Sequence, residues 1–182
     1  MGWMILAALL LVVLDGIGMY NSLVRLRASG DSAWADIDVQ LKRRYDLIPN
    51  LVETVKAYAA HEKGALEAVI NARAKAMSAH GPQDKAAAEN QLSQSLKSLF
   101  ALAEAYPQLR AVEAFNQLQA SLNQIEDALQ NARRYYNAVV RDYNAKTQEV
   151  PTNVIAGWFH FTGRQFFELT ETSQREPPKV QF

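Results

Sequence analysis

The sequence predicts an all-α protein, an N-terminal transmembrane helix leading into an antiparallel up-and-down four-helix bundle. Three observations predict it. The first twenty residues are almost entirely apolar. Beyond them, apolar residues recur at spacings of three and four, the signature of one helical face. No stretch alternates with a period of two, and no Asn-Gly or Asp-Gly pair sits between alternating runs as a hairpin would require. The 182 residues carry 19 basic and 19 acidic side chains, with 49% hydrophobic and 21% charged. That balance is close to globular averages and argues against global disorder, and the length suits one domain with an appendage.

The anchor comes first. Trp3 to Leu14 is an unbroken apolar run; Asp15 interrupts it, and Gly16, Ile17, Gly18 and Met19 carry it on to Tyr20. About 20 helical residues at about 1.5 Å each cross a hydrocarbon core of about 30 Å. Trp3, Ile5, Leu6, Leu9, Leu10, Leu11, Val12, Val13 and Leu14 are the candidate membrane-anchor residues. A cleaved signal peptide is the competing reading. Only the terminal amine supplies its charged region, however, and Asp15-Gly16-Ile17 is a poor cleavage site. Leu6 stands where N-myristoylation needs Ser or Thr. Asp15 lies near one end of the span, at the interface or against another transmembrane helix, which Gly16 and Gly18 would admit closely. Arg25 and Arg27 follow the span and no cation side chain precedes it, so the positive-inside rule places the body in the cytoplasm, with the periplasm as the alternative.

Four apolar stripes make up the body. Trp34, Ile37, Leu41 and Tyr45 form one. Val52, Val55, Ala59, Leu66, Val69 and Ile70 form a second, with a polar break at Glu62 and Lys63. Leu92, Leu96, Leu99, Ala103 and Tyr106 form a third. The fourth is a heptad seam alternating three and four: Phe115, Leu118, Leu122, Ile125, Leu129, Ala132, Tyr136, Val139 and Tyr143. Asp46 caps a helix start with Pro49 in its first turn, or Pro49 kinks one continuous helix. Gly81-Pro82 is a loop, Pro107 closes the third helix and Pro151 the fourth. The expected helices are 19–45, 48–79, 84–106 and 111–149. Short connections make neighbours antiparallel. The expected division is an anchor at 1–20, the bundle at 21–150, and an aromatic segment with an extended tail at 151–182.

In an up-and-down bundle the fourth helix ends near the bilayer. Trp158, Phe159, Phe161, Arg164, Phe166 and Phe167 follow it, and are candidates for contact with the membrane interface or for capping the open end of the core. Paired prolines make the tail Glu176 to Phe182 extended.

Little in the sequence suggests chemistry. The absence of cysteine excludes disulfides, thiolate metal sites and a cysteine nucleophile. The pair His61-Glu62 lacks a second histidine four residues on, where Ala65 stands. The residues three before His61, His80 and His160 are Tyr58, Met77 and Gly157, so no di-iron Glu-x-x-His pattern exists. Asp36 and Asp38, two apart on a helix, point in different directions. No cofactor, metal or small-molecule substrate is expected, and a neutral chain has no general drive toward nucleic acid. Lys42, Arg43 and Arg44 form a candidate patch for an acidic protein partner, or a solvated face. Asn50, Asn137 and Asn153 are candidates for amides that lock helix register.

Several segments together resemble the LemA family. They are Tyr20 to Arg27, Ala33 to Lys56 with its run Arg44-Tyr-Asp-Leu-Ile-Pro-Asn-Leu-Val52, Ala59 to Glu62, Glu104-Ala-Tyr-Pro107, Ala132-Arg-Arg-Tyr-Tyr-Asn137 and Phe166-Phe-Glu168. The resemblance implies a bacterial inner-membrane protein with a helical bundle and no established activity. Family members are often encoded near membrane metalloproteases, which implies such a protease as one possible partner. Some members carry a lipid-modified cysteine just before the Tyr-Asn pair; this chain has Gly16-Ile-Gly-Met19 there and keeps the helix anchor instead. The expected function is a non-enzymatic interaction scaffold or adaptor contacting the bilayer and another membrane protein or its own copies. A lipid-contacting, self-assembling membrane organiser is the alternative.

Overall fold

The computed structural model describes residues 1–168. Helices follow in the order α1 (Gly2–Tyr58), α2 (Lys63–Ser78), α3 (Gly81–Ala103), α4 (Pro107–Arg110), α5 (Glu113–Gln148) and α6 (Thr152–Trp158). No strand occurs among the described residues. The expected extended tail from Glu176 to Phe182 lies outside them.

Several expected boundaries move: Gly81 and Pro82 open α3 and do not form a loop before it, α3 ends at Ala103, and the short helices α4 and α6 lie outside the expected ones. The chain does not break at Asp46–Pro49; α1 stays helical through Pro49, and the break comes at Ala59–Glu62. The reason is a donor from elsewhere in the chain. Proline has no N–H, so inside a helix it orphans the carbonyl four residues earlier, here that of Tyr45. Arg73 Nε, on α2, donates to that carbonyl at 2.8 Å. The actual break falls where Glu62 and Lys63 interrupt the second apolar stripe. There Glu62 leaves helical geometry and accepts a hydrogen bond from the Tyr106 hydroxyl at 2.8 Å.

This pairing makes a prediction. Arg73→Ala should lower stability by about 1–2 kcal/mol by leaving a carbonyl unpaired. In a Pro49→Ala background, which restores the missing N–H, the same change should cost about 1 kcal/mol less. Thermal unfolding of the four variants in detergent, followed by circular dichroism, measures the coupling. Equal costs in both backgrounds refute the account.

The chain divides into two compact units. The first comprises residues 1–38 and 131–166. Its core is Leu23, Tyr143 and Ala156, with Leu26, Ile155 and Phe161 packed against them. Trp34 meets Tyr136 edge-on, ring centroids 5.3 Å apart.

The second comprises 39–130 and, of the described residues beyond, Phe167 and Glu168. Within it α2 and α3 form an antiparallel hairpin. Gly81, at φ 77°, makes the turn, and Pro82 sits in the first turn of α3, where its missing N–H costs nothing. Lys85 Nζ reaches back to the Ala76 carbonyl at 3.0 Å, and Lys75 Nζ reaches Gln91 Oε1 at 2.9 Å.

The apolar stripes face inward with one exception. On α5, Phe115, Leu122, Leu129, Tyr136, Val139 and Tyr143 are buried, and Leu118, Ile125 and Ala132 are half-buried. Ile70 is 49% exposed. It follows buried Val69 by one residue, about 100° around the helix, so the two cannot share a face.

Candidate functional site

In the first unit the chain turns sharply after α6. His160 takes φ 57°, the left-handed region that side chains with a Cβ seldom occupy and that His tolerates better than most. The segment beyond it lies along α5, which holds it by its backbone. The Tyr143 hydroxyl donates to the Thr162 carbonyl at 3.1 Å, and the Tyr136 hydroxyl to that of Gln165 at 2.9 Å. Burial raises both phenols above their ordinary pKa. Between them Asn144 makes a two-way clamp. Its Nδ2 donates to the Arg164 carbonyl at 2.9 Å, and its Oδ1 accepts from the Arg164 amide at 2.8 Å.

The clamp aims the Arg164 side chain at α1. Its guanidinium donates to the Arg27 carbonyl at 3.0 Å and to Asp31 Oδ1 at 2.6 Å, a charge-assisted contact. Gly30 leaves the room: a Cβ there would lie 3.0 Å from Arg164 Nη1. Asn144→Ala removes both clamp bonds and should cost about 2 kcal/mol. Hydrogen exchange should show the Arg164 amide exchanging about 30-fold faster, a factor of ten per ~1.36 kcal/mol. Unchanged protection at Arg164 would show that the two tyrosines hold the segment without Asn144.

Closer to the N-terminus, α1 and α6 enclose a groove of about 620 Å³ lined by Val13, Gly16, Ile17, Tyr20, Ile155, Trp158 and Phe159. Tyr20 stacks at a tilt against Phe159 at 4.7 Å and meets Phe161 edge-on at 5.6 Å. All nine candidate anchor residues are exposed. None of the most apolar 18-residue window of α1 is buried, and its mean hydropathy is 2.1.

The structure separates the aromatic candidates. Trp158 and Phe159 are 78% and 56% exposed. Phe161 packs on the Leu23 cluster, Phe166 is half-buried and Phe167 is 1% exposed. Phe161 and Phe167 therefore pack inward, and Arg164 is held by Asp31. Side chains on adjacent residues diverge, so one aromatic run supplies two different faces.

The second unit holds a buried polar network. Lys42, Arg43 and Arg44 do not form one patch: Lys42 and Arg43 are exposed, while Arg44 is 5% exposed. Arg44 follows buried Leu41 by three residues and precedes buried Ile48 by four, so it lies on the apolar stripe. Its Nη1 lies 3.2 Å from Glu89 Oε2 and 3.2 Å from Glu126 Oε2, and its Nη2 donates to Ser93 Oγ at 2.8 Å. The Tyr45 hydroxyl also donates to Glu89 and lies 3.3 Å from the Ala76 carbonyl. Lys85 Nζ sits 5.8 Å above the Tyr45 ring, a cation–π contact. Burial pushes the Glu89 carboxyl above its ordinary pKa; the Tyr45 hydrogen bond and the charges of Arg44 and Lys85 oppose this, and Glu126 adds to it.

Other candidates are placed as follows. Asp36, Asp38 and His61 are exposed. Asn50 and Asn153 are exposed and so cannot lock register from inside, and Asn137 is half-buried. No cluster of three or more metal-ligating side chains occurs among the described residues. Asn144 and Glu89, which the sequence reading passed over, carry the polar architecture. Glu89 had a legible signal: it stands three residues before Leu92 on an apolar stripe, as Arg44 does after Leu41. Asn144 lies one residue beyond the seam and had none.

Residues 33–182 match the LemA family. Two relatives from Paramagnetospirillum magneticum (strain AMB-1), Magnetosome protein MamQ 1 and Magnetosome protein MamQ 2, are each 23% identical over 175 residues. The alignment covers 82% of this chain and 64% of each relative, so the chain spans somewhat less than two thirds of their length.

Proposed function

This chain belongs to the LemA family, and from that premise we propose that it is a single-pass, membrane-anchored, non-enzymatic scaffold or adaptor of the bacterial inner membrane. One observation carries the reading. None of the most apolar window of α1 is buried by the described residues. Leaving Leu, Val or Ile exposed to water forgoes about 1.5–3 kcal/mol per side chain. A run of this length therefore needs a cover, and a bilayer supplies one. Similarity to magnetosome proteins supports membrane association. Arg25 and Arg27 favour a cytoplasmic body. We propose further that the helices assemble as an antiparallel up-and-down four-helix bundle, and that exposed Lys42 and Arg43, without Arg44, offer a face to an acidic partner. A membrane metalloprotease or a second copy of the chain are the candidates for that partner.

A second reading, a self-assembling organiser of the membrane, is favoured by the exposure of Trp158 and Phe159. Photo-crosslinking in native membranes separates the two. Probes replace exposed Arg43 and exposed Gln165, and captured chains are identified by mass spectrometry. The same foreign membrane protein captured from one position only supports the adaptor. Capture of lipid and of this chain alone supports the organiser.

A further inference from the structure

We propose that the first unit binds one anionic phospholipid of the surrounding bilayer, an acyl chain in the groove between α1 and α6 and the phosphate at a polar pocket beside it. The inference rests on the membrane-anchored reading and gives that surface a ligand.

Two cavities adjoin in this unit. The groove at Gly16, Ile17, Tyr20, Trp158 and Phe159 is apolar. A second pocket of about 200 Å³ is lined by Arg27, Asp31, Tyr143, His160, Thr162, Gly163 and Arg164. Consecutive residues divide them: Phe159 lines the first and His160 the second, and their Cα atoms are about 3.8 Å apart. The left-handed turn at His160 brings the chain from one cavity to the other. Strained backbone of this kind gathers at ligand sites.

The polarity runs in the order a lipid needs. From Gly16 to Arg27 the helix climbs eleven residues, about 16 Å at about 1.5 Å each. The apolar cavity is therefore on the anchor side and the polar one on the side of the aqueous body. Tyr20, with its ring against Phe159 and Phe161, stands between them, where amphipathic aromatics settle at a membrane interface.

Charge completes the match. The pocket holds two guanidinium groups, and its one carboxylate, Asp31, is already paired to Arg164 at 2.6 Å. Exposed Arg27 is left to face a phosphate, and exposed Thr162 lines the same pocket. Gly16 lies on the groove floor opposite Ile155: a Cβ there would meet Ile155 Cδ1 at 3.9 Å, ordinary contact, so only a larger side chain fills the groove.

The test uses the full chain in vesicles of phosphatidylcholine, with and without phosphatidylglycerol. The probe is a phosphatidylglycerol carrying a photoactivatable group in its acyl chain, and labelled residues are mapped by mass spectrometry. Labels should concentrate at Ile17, Tyr20, Trp158 and Phe159 over Leu6 and Leu10. Unlabelled phosphatidylglycerol should compete at least about fivefold better than phosphatidylcholine, the preference that one interfacial cation gives. Gly16→Leu should remove the labels at Trp158 and Phe159, and Arg27→Gln should abolish most of the headgroup preference. Helicity by circular dichroism confirms that both variants are folded.

Even labelling along residues 3–20 without headgroup preference overturns the site and leaves the anchored reading standing. So does a chain–chain crosslink from a probe at Ile17 that displaces the lipid label, which gives the groove to a second copy. A chain that floats with neither vesicle overturns the anchored reading and the site together.

Discussion

Replacing Leu10 by Arg is expected to release the full chain from membranes. Leu10 lies in the middle of the apolar run and is 60% exposed. On the insertion scale a central Leu contributes about −0.3 to −0.6 kcal/mol, and a central Arg costs about 2.5–3.5 kcal/mol. The difference of about 3–4 kcal/mol lowers insertion by roughly two to three orders of magnitude. Gly18→Arg is the control. Near the end of the span a long cation reaches the headgroups, so that variant should stay in the membrane. The same scale explains Asp15: its cost is tolerable only near an end of the span, where it stands. Carbonate extraction of membranes measures both variants, and the intact mass shows whether residues 1–20 remain. Retention of Leu10→Arg in the extracted pellet would mean that another surface holds the protein to the bilayer. Loss of residues 1–20 from the wild type would make the segment a cleaved signal.

Removing the carboxylate of Glu89 should have the largest effect on stability. Glu89→Ala leaves Arg44 buried with only the partly exposed Glu126 as its counter-charge, and takes one of the two acceptors from the Tyr45 hydroxyl, leaving the Ala76 carbonyl at 3.3 Å. Breaking a buried pair from one side costs about 3–5 kcal/mol. At about 2–4 °C per kcal/mol, Tm should fall by about 10 °C. The double replacement Arg44→Met with Glu89→Met should be far milder, because it removes both desolvation penalties and keeps the volume. If the double variant falls as far as the single, the site depends on its hydrogen bonds and not on avoiding a stranded charge.

The network also has a sign with pH. The folded pKa of Glu89 lies above 4.5 because burial penalises the charged form. Between about 4.5 and the folded value, the folded chain binds the proton and the unfolded chain does not. The contribution to stability is therefore full below 4.5 and is lost as pH rises through the folded pKa. Relative to Glu89→Gln, the wild type should lose stability as pH rises from below 4.5 toward neutrality. Thermal melts of the two proteins across that range measure the difference. A growing wild-type advantage with rising pH would mean that pairing with Arg44 outweighs burial.

The sequence by itself determined the all-helical class, the main apolar stripes and the apolar run. Spacings of three and four, the seam from Phe115 to Tyr143 and the apolar stretch from Trp3 to Leu14 are local patterns. They depend on residues within a turn or two of one another, so each can be read without knowing its neighbours in space. The resemblance to the LemA family was likewise legible, because runs such as Arg44 to Val52 are contiguous. Only the tertiary structure decided the rest. Pro49 ends or continues a helix according to whether its orphaned carbonyl finds a donor, and Arg73 supplies one from 28 positions beyond Tyr45. Arg44 reads as a surface cation until Glu89, 45 positions away, takes it inside. The aromatic run divides between core and surface, with Phe161 packed on Leu23, more than 130 positions away, and Trp158 and Phe159 exposed. Periodicity fixes which face of a helix is apolar; which partner covers that face, and which charge is buried with it, depends on groups distant in sequence that meet only when the chain is folded.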